Sequence, residues 1–200
     1  MILTDKIAKS TVTFIKNNTS TSDEDLEKIE YGIKALVSNF LKLVLLFLTA
    51  YFFGVLKYTL LAVFTFALIR SFASGAHANS TIQCIFINYL FFLGNVFISI
   101  YHPLSTMEIG VIFLISLILI CLYSPADTAE RPLVNKKLRI FLKLGSIITA
   151  FILLFISLII NNDVYKTIII NSILEESIAI TPLLYKILGK SYRNYFNITL

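Results

Sequence analysis

IGVIFLISLILICLYSPA, residues 109–126, runs for 18 positions between Glu108 and Asp127 without a charge. At about 1.5 Å of rise per residue, such a helix reaches most of the way across the ~30 Å hydrocarbon layer of a bilayer. A second uncharged run, 19 residues, lies between Lys143 and Asp163. Those between Lys42 and Lys57 (14) and between Lys57 and Arg70 (12) are shorter. They reach spanning length when flanking apolar residues join them and the Lys and Arg stems extend to the interface. Residues 71–107 hold 37 positions without Asp, Glu, Lys or Arg, enough for one span and polar connectors. Spans are therefore predicted near 36–55, 58–74, 82–100, 107–124, 142–161 and 167–188. Composition agrees: 57% hydrophobic, 14% charged and a mean hydropathy of +0.82. Soluble domains hold about 45–50% apolar and about 25% charged residues. The expected fold class is all-α, a polytopic membrane helix bundle of about six transmembrane helices preceded by an N-terminal amphipathic helix. The organisation is two segments, a cytoplasmic or interfacial 1–33 and a transmembrane 34–200.

Basic residues set the expected orientation, because cytoplasmic loops of membrane proteins are enriched in Lys and Arg. The connection after the fourth span carries Arg131, Lys136, Lys137, Arg139 and Lys143, whereas the loops expected on the other side offer only Lys57 and Lys166. Both termini and the 70–84 segment are then expected in the cytosol of a cell whose plasma membrane holds the chain. The net charge of +5 is accounted for by this topology and by attraction to anionic lipid. Nothing in its distribution points to a nucleic-acid groove. Asp5, Lys6, Lys9 and Lys16 interrupt the start of the chain, so no removable signal peptide is expected. Leu3, Ile7, Phe14 and Ile15 lie on one side of a helix with Lys6, Lys9 and Lys16 among its polar positions, the pattern of an interfacial amphipathic helix. Thr21, followed three residues later by Glu24, resembles a capping box that would start the next helix.

The chemistry concentrates in RSFASGAHANSTIQC, residues 70–84, which holds Arg70, His77 and Cys84. On one unbroken helix a separation of seven would leave the His77 and Cys84 backbones roughly 10 Å apart, too far for direct proton transfer. The chain is expected to turn between them. Gly75 opens backbone angles closed to other residues, and Asn79 and Ser80 favour turns and caps. Ser80-Thr81-Ile82-Gln83 fits a capping pattern, so a helix is predicted to begin at Ser80. Cys84 then falls in that helix's first turn, where exposed amide dipoles favour negative charge. On the residues alone two readings stand. Cys84 packs against its neighbours and His77 is merely solvated; or His77 folds back as general base for a Cys84 nucleophile. His77 and Cys84 are too few for a zinc site, and His102 is expected on the opposite face, so no metal or cofactor is expected.

The arrangement of Arg70, Gly75, His77 and Cys84 in a small basic multi-span chain resembles the accessory gene regulator B family of bacterial membrane peptidases. SPADTAERP, residues 124–132, is similar to that family's connector before its basic loop. The resemblance covers nearly the whole chain in layout; one departure is Ser74, where many members place a second Gly. It implies a cysteine endopeptidase with Cys84 and His77 catalytic. Its partner would be a short cytosolic propeptide, the precursor of a quorum-sensing autoinducer. The enzyme would cut on the C-terminal side of the signal segment, hold the product as a thioester and promote thiolactone or lactone closure. The resemblance also implies a homodimer.

Other polar residues receive alternative readings. Arg70 either clamps an acidic tail or a scissile carbonyl, or anchors its span at the interface. Asn79, Ser80 and Gln83 either support an oxyanion or serve as caps. Asp127 either orients His77 or Arg70, or is a turn residue. Cys121 reads as a packing thiol. Glu175 and Glu176 should face the bundle interior or a wet cavity, since each costs about 2.5–3.5 kcal/mol in lipid. They would line a peptide path, bind a cation, or mark a segment that does not fully cross, with Pro182 adding a kink. The same two acids keep open a small peptide or ion transporter or channel that needs neither His77 nor Cys84. A non-catalytic membrane adaptor is a third reading.

Overall fold

The computed structural model describes residues 2–19, 22–76, 80–129 and 132–197. Among them the regular structure is helical, and the one extended pairing is a parallel bridge between Ser74 and Ala126. The backbone divides into two units, Met1–Thr49 and Ala50–Leu200.

In the first unit, α1 (Ile2–Asn18) precedes the long α2 (Asp23–Phe52), whose N-terminal part belongs to this unit. Lys34 of α2 bridges Asp5 of α1 at 3.2 Å and its own Glu30 at 2.7 Å. Ala8 is fully buried while Ile7 and Phe14 stay exposed, so the apolar side expected of α1 is in part its outer one. The cap of α2 is Ser22, whose Oγ accepts the Asp25 amide. This replaces the expected pairing of Thr21 with Glu24; Thr21 lies outside the described residues.

The second unit contains α3 (Leu56–Ala73), α4 (Thr81–Asn88) and α5 (Gly94–Tyr101), the last two joined through a π turn at Tyr89–Leu93. It continues with α6 (Thr106–Tyr123), α7 (Lys136–Ile159), α8 (Asp163–Ala179), α9 (Pro182–Ile187) and a 3₁₀ turn at Asn194–Asn197. Side-chain caps fix several starts. Ser105 and Glu108 form a reciprocal capping box on α6, Asn135 accepts two amides of α7, and Asn162 accepts the Tyr165 amide of α8.

Among the described residues five helical segments are long and apolar enough to cross a membrane: α2, α3, the run Thr81–Tyr101, α6 and α7. The expected sixth span at 167–188 is two helices instead. Thr181 accepts the Leu184 amide and Pro182, which has no N–H to continue the ladder, opens α9. Pro182 thus starts a helix rather than kinking one.

α8 is the central helix, packed by α3, α5, α6 and α7. Ile168, Ile169, Ile170 and Ile173 are buried on successive faces, the signature of a helix enclosed by protein. The helices around it are apolar outward, with Leu114, Ile118 and Leu122 of α6 and Ile148 and Phe155 of α7 exposed, as lipid contact requires.

Candidate active site

Polar contacts gather where α3 and α8 end. Arg70, in the last turn of α3, donates from Nη1 to Glu176 Oε2 of α8 at 3.0 Å and from Nη2 to the Ala76 carbonyl at 2.7 Å. Glu176 is fully buried, and its Oε1 has no hydrogen-bond partner among the described residues. An ionised carboxylate so enclosed requires a cation, and the planar guanidinium supplies one while keeping donors for the loop. The Arg70 guanidinium also lies 5.6 Å from the Phe66 ring centre. Arg70 and Glu176, which the sequence offered as a substrate clamp or interfacial anchor and as an acid facing the bundle interior, are each other's counterion.

The loop after α3 is shaped around that guanidinium. Ser74 has φ +62° and Gly75 φ +130°. A Cβ at Gly75 would lie 3.0 Å from Arg70 Nη1, so glycine serves close approach as well as backbone freedom. The Ala126 amide donates to the Ala73 carbonyl at 2.9 Å, fastening the connector after α6 to the same loop. Two opposite outcomes are expected. Ser74→Gly relieves a left-handed serine and raises stability by about 1 kcal/mol, whereas Gly75→Ala costs about 1–3 kcal/mol by straining the backbone and displacing Arg70. Thermal unfolding in detergent checks both signs.

Ser80 is the N-cap of α4: its Oγ accepts the Gln83 amide at 3.1 Å, and its carbonyl accepts the Cys84 amide at 3.0 Å. The predicted helix start is therefore met. Cys84 sits in the first turn, half-buried, with a free thiol. His77 and Asn79 lie outside the described residues. The nearest described residue before His77 is Ala76, the one whose carbonyl Arg70 holds.

Asp127 is engaged elsewhere than expected. Its Oδ1 accepts the Asn194 amide at 2.9 Å and its Oδ2 the Tyr195 amide at 2.7 Å. Its carbonyl accepts the hydroxyl of buried Tyr185 at 2.8 Å. Both carboxylate oxygens thus hold the C-terminal turn rather than Arg70. Asp127→Ala should cost about 1–3 kcal/mol, the penalty for orphaned amides. Limited proteolysis should then cut within 191–197 sooner than in the wild type.

Glu175 joins a separate network. Asn95 Nδ2 lies 3.3 Å from Glu175 Oε2 and 3.0 Å from Ser172 Oγ, and its Oδ1 accepts from Ser99 at 3.0 Å. Asn171 extends the chain to Ser99 at 3.3 Å. This ladder links α5 to α8 inside the bundle. Sequence reasoning missed Asn95 and Tyr185; an Asn in mid-span was the available signal for the first. Among the described residues no three His, Cys, Asp or Glu side chains could hold a metal ion.

The accessory gene regulator B family profile matches residues 8–180. An AgrB-like protein of Clostridium acetobutylicum is 36% identical over 172 residues, covering 86% of this chain and 82% of the relative. An AgrB-like protein of Listeria monocytogenes is 31% identical over 180 residues, covering 90% and 88%. Accessory gene regulator protein B of Staphylococcus aureus is 31% identical over 183 residues, covering 86% and 91%. No solved structure matches the chain.

Proposed function

The chain belongs to the accessory gene regulator B family, and from that premise we propose that it is a membrane cysteine endopeptidase processing a quorum-sensing propeptide. Residues 34–200 carry the peptidase, and the site works at the cytoplasmic face, with both termini on that side. The Cys84 thiolate attacks the scissile carbonyl after His77 has taken the thiol proton. The amide C–N bond then breaks, His77 returns the proton to the leaving amine, and the tail departs, leaving the signal segment as a thioester on Sγ. An internal thiol or hydroxyl of the peptide attacks that thioester, forms the thiolactone or lactone ring and regenerates the Cys84 thiol. Thioester-to-thiolactone exchange trades similar bonds, so closure needs no nucleotide provided water is kept from the acyl group.

The observation that carries this reading is Cys84 itself: a half-buried, free thiol in the first turn of a helix capped by Ser80. The loop leading toward it is tethered at Ala76 through Arg70 to Glu176. A transport path through the paired acids has less support, because Glu176 is committed to Arg70 and Glu175 to Asn95. The test is reconstitution of the chain in liposomes with propeptides carrying an internal Cys or Ser. A released C-terminal tail and a cyclic product are expected. Intact propeptide, or its appearance uncut across the membrane, would replace the peptidase by a carrier.

A further inference from the structure

A crevice of about 360 Å³ opens between the connector after α6, the first two turns of α7 and the C-terminal segment. Arg70, Glu176 and Cys84 do not line it. We propose that it binds the phosphate headgroup of an anionic phospholipid, with an acyl chain lying along α7.

Four cations converge there. Lys136, Arg139 and Lys143 follow one another at spacings of three and four on α7, which places them on one face, and Arg193 contributes from the opposite wall. Among the described residues none of the four has a carboxylate within ion-pair distance. Asp127, the one acid among the described lining residues, spends both oxygens on the Asn194 and Tyr195 amides. Among the described residues the crevice therefore keeps a net positive charge with no carboxylate left over to pair it. Its arginines are held in place: the Arg139 guanidinium stacks 3.9 Å from the Tyr195 ring centre and that of Arg193 lies 5.5 Å from Tyr192. A guanidinium positioned on a ring retains in-plane N–H groups suited to phosphate oxygens.

The rim decides between a lipid and a small or peptidic anion. Ile140 and Phe196 line the crevice and are each 52% exposed. From Ile140 the exposed residues Leu144 and Ile148 continue at four-residue spacing along α7, a helix apolar enough to cross the membrane. A site that is cationic at its base and opens onto an apolar stripe matches an amphiphile, and basic pockets at helix ends are where headgroups bind. An acidic peptide would use the cations and leave the stripe idle.

The full chain is placed in nanodiscs of phosphatidylcholine containing a minor fraction of phosphatidylglycerol, and the lipids it retains on release are counted by native mass spectrometry. Phosphatidylglycerol should be enriched over phosphatidylcholine by about tenfold, since clustered basic residues attract an anionic headgroup. Arg139→Gln with Arg193→Gln should abolish the enrichment, and so should Lys136→Gln with Lys143→Gln, a pair that leaves the ring contacts intact. Lys186→Gln with Lys190→Gln, an equal charge loss outside the crevice, should preserve it. Equal retention of both lipids by the wild type, or enrichment that survives both crevice pairs, overturns the proposal. So does displacement of the lipid by millimolar inorganic phosphate, which would assign a free-anion site. A fourth overturning result is an oligoglutamate peptide bound in phosphatidylcholine discs with the same arginine dependence, with no retained phosphatidylglycerol.

Discussion

Replacing Cys84 with alanine is expected to lower propeptide cleavage by a factor on the order of 10⁴ or more, because the covalent route disappears with its nucleophile. The fold should persist. Cys84 is half-buried and its thiol makes no disulfide, so the substitution removes one sulfur from the first turn of α4 and leaves the Ser80 cap untouched. Loss of a single small side chain there should change stability by less than about 1 kcal/mol. Cys121→Ala is the matched control: it removes the chain's other free thiol, which belongs to α6, and should cleave at the wild-type rate. Rates of tail release in liposomes, alongside unfolding temperatures for both variants, separate chemistry from folding. Full activity of Cys84→Ala would end the peptidase reading.

The second large effect concerns Arg70 and Glu176. Breaking a buried ion pair by removing one partner strands the other charge, at a cost of about 3–5 kcal/mol. Arg70→Met and Glu176→Leu should each be destabilised to that extent. Combining them should recover stability to within about 1–2 kcal/mol of wild type, since replacing both members of a buried pair by apolar groups is often neutral. Processing should not recover. Arg70 also donates to the Ala76 carbonyl, and the double variant leaves that carbonyl without its donor just before the proposed base. Misplacing a reacting group by about 1 Å is worth on the order of 10² in rate, which sets the expected deficit of the double variant. A double variant that is stable and fully active would reduce the pair to a packing device.

How far the sequence discloses this architecture depends on what each segment contacts. The span predicted over 107–124 became α6, Thr106–Tyr123, almost to the residue, with Glu108 in its first turn as part of the Ser105 capping box. α7 starts at Lys136, earlier than the span predicted from 142: the charges mark where lipid begins, whereas the Asn135 cap marks where the helix begins. α8 was the hardest to read. Two adjacent acids argue against a span, yet the helix lies inside the bundle, where partners on α3 and α5 answer both. Ser80 was legible because a cap is local, involving residues three apart. The Arg70–Glu176 pair was not, since 106 residues separate its members and only the packing of α3 on α8 brings them together. Asp127 misled for the same reason, its amide partners lying 67 and 68 residues further along.

The most direct measurement is the intact mass of the protein after incubation with a propeptide whose internal Cys or Ser has been changed to alanine, so that ring closure is blocked and the acyl-enzyme accumulates. One adduct is expected, carrying the N-terminal part of the peptide through an acyl bond, cleaved by hydroxylamine and mapped by digestion to Cys84, with one tail released per adduct. A tail released with no adduct at Cys84, or an adduct confined to Cys121, would contradict it.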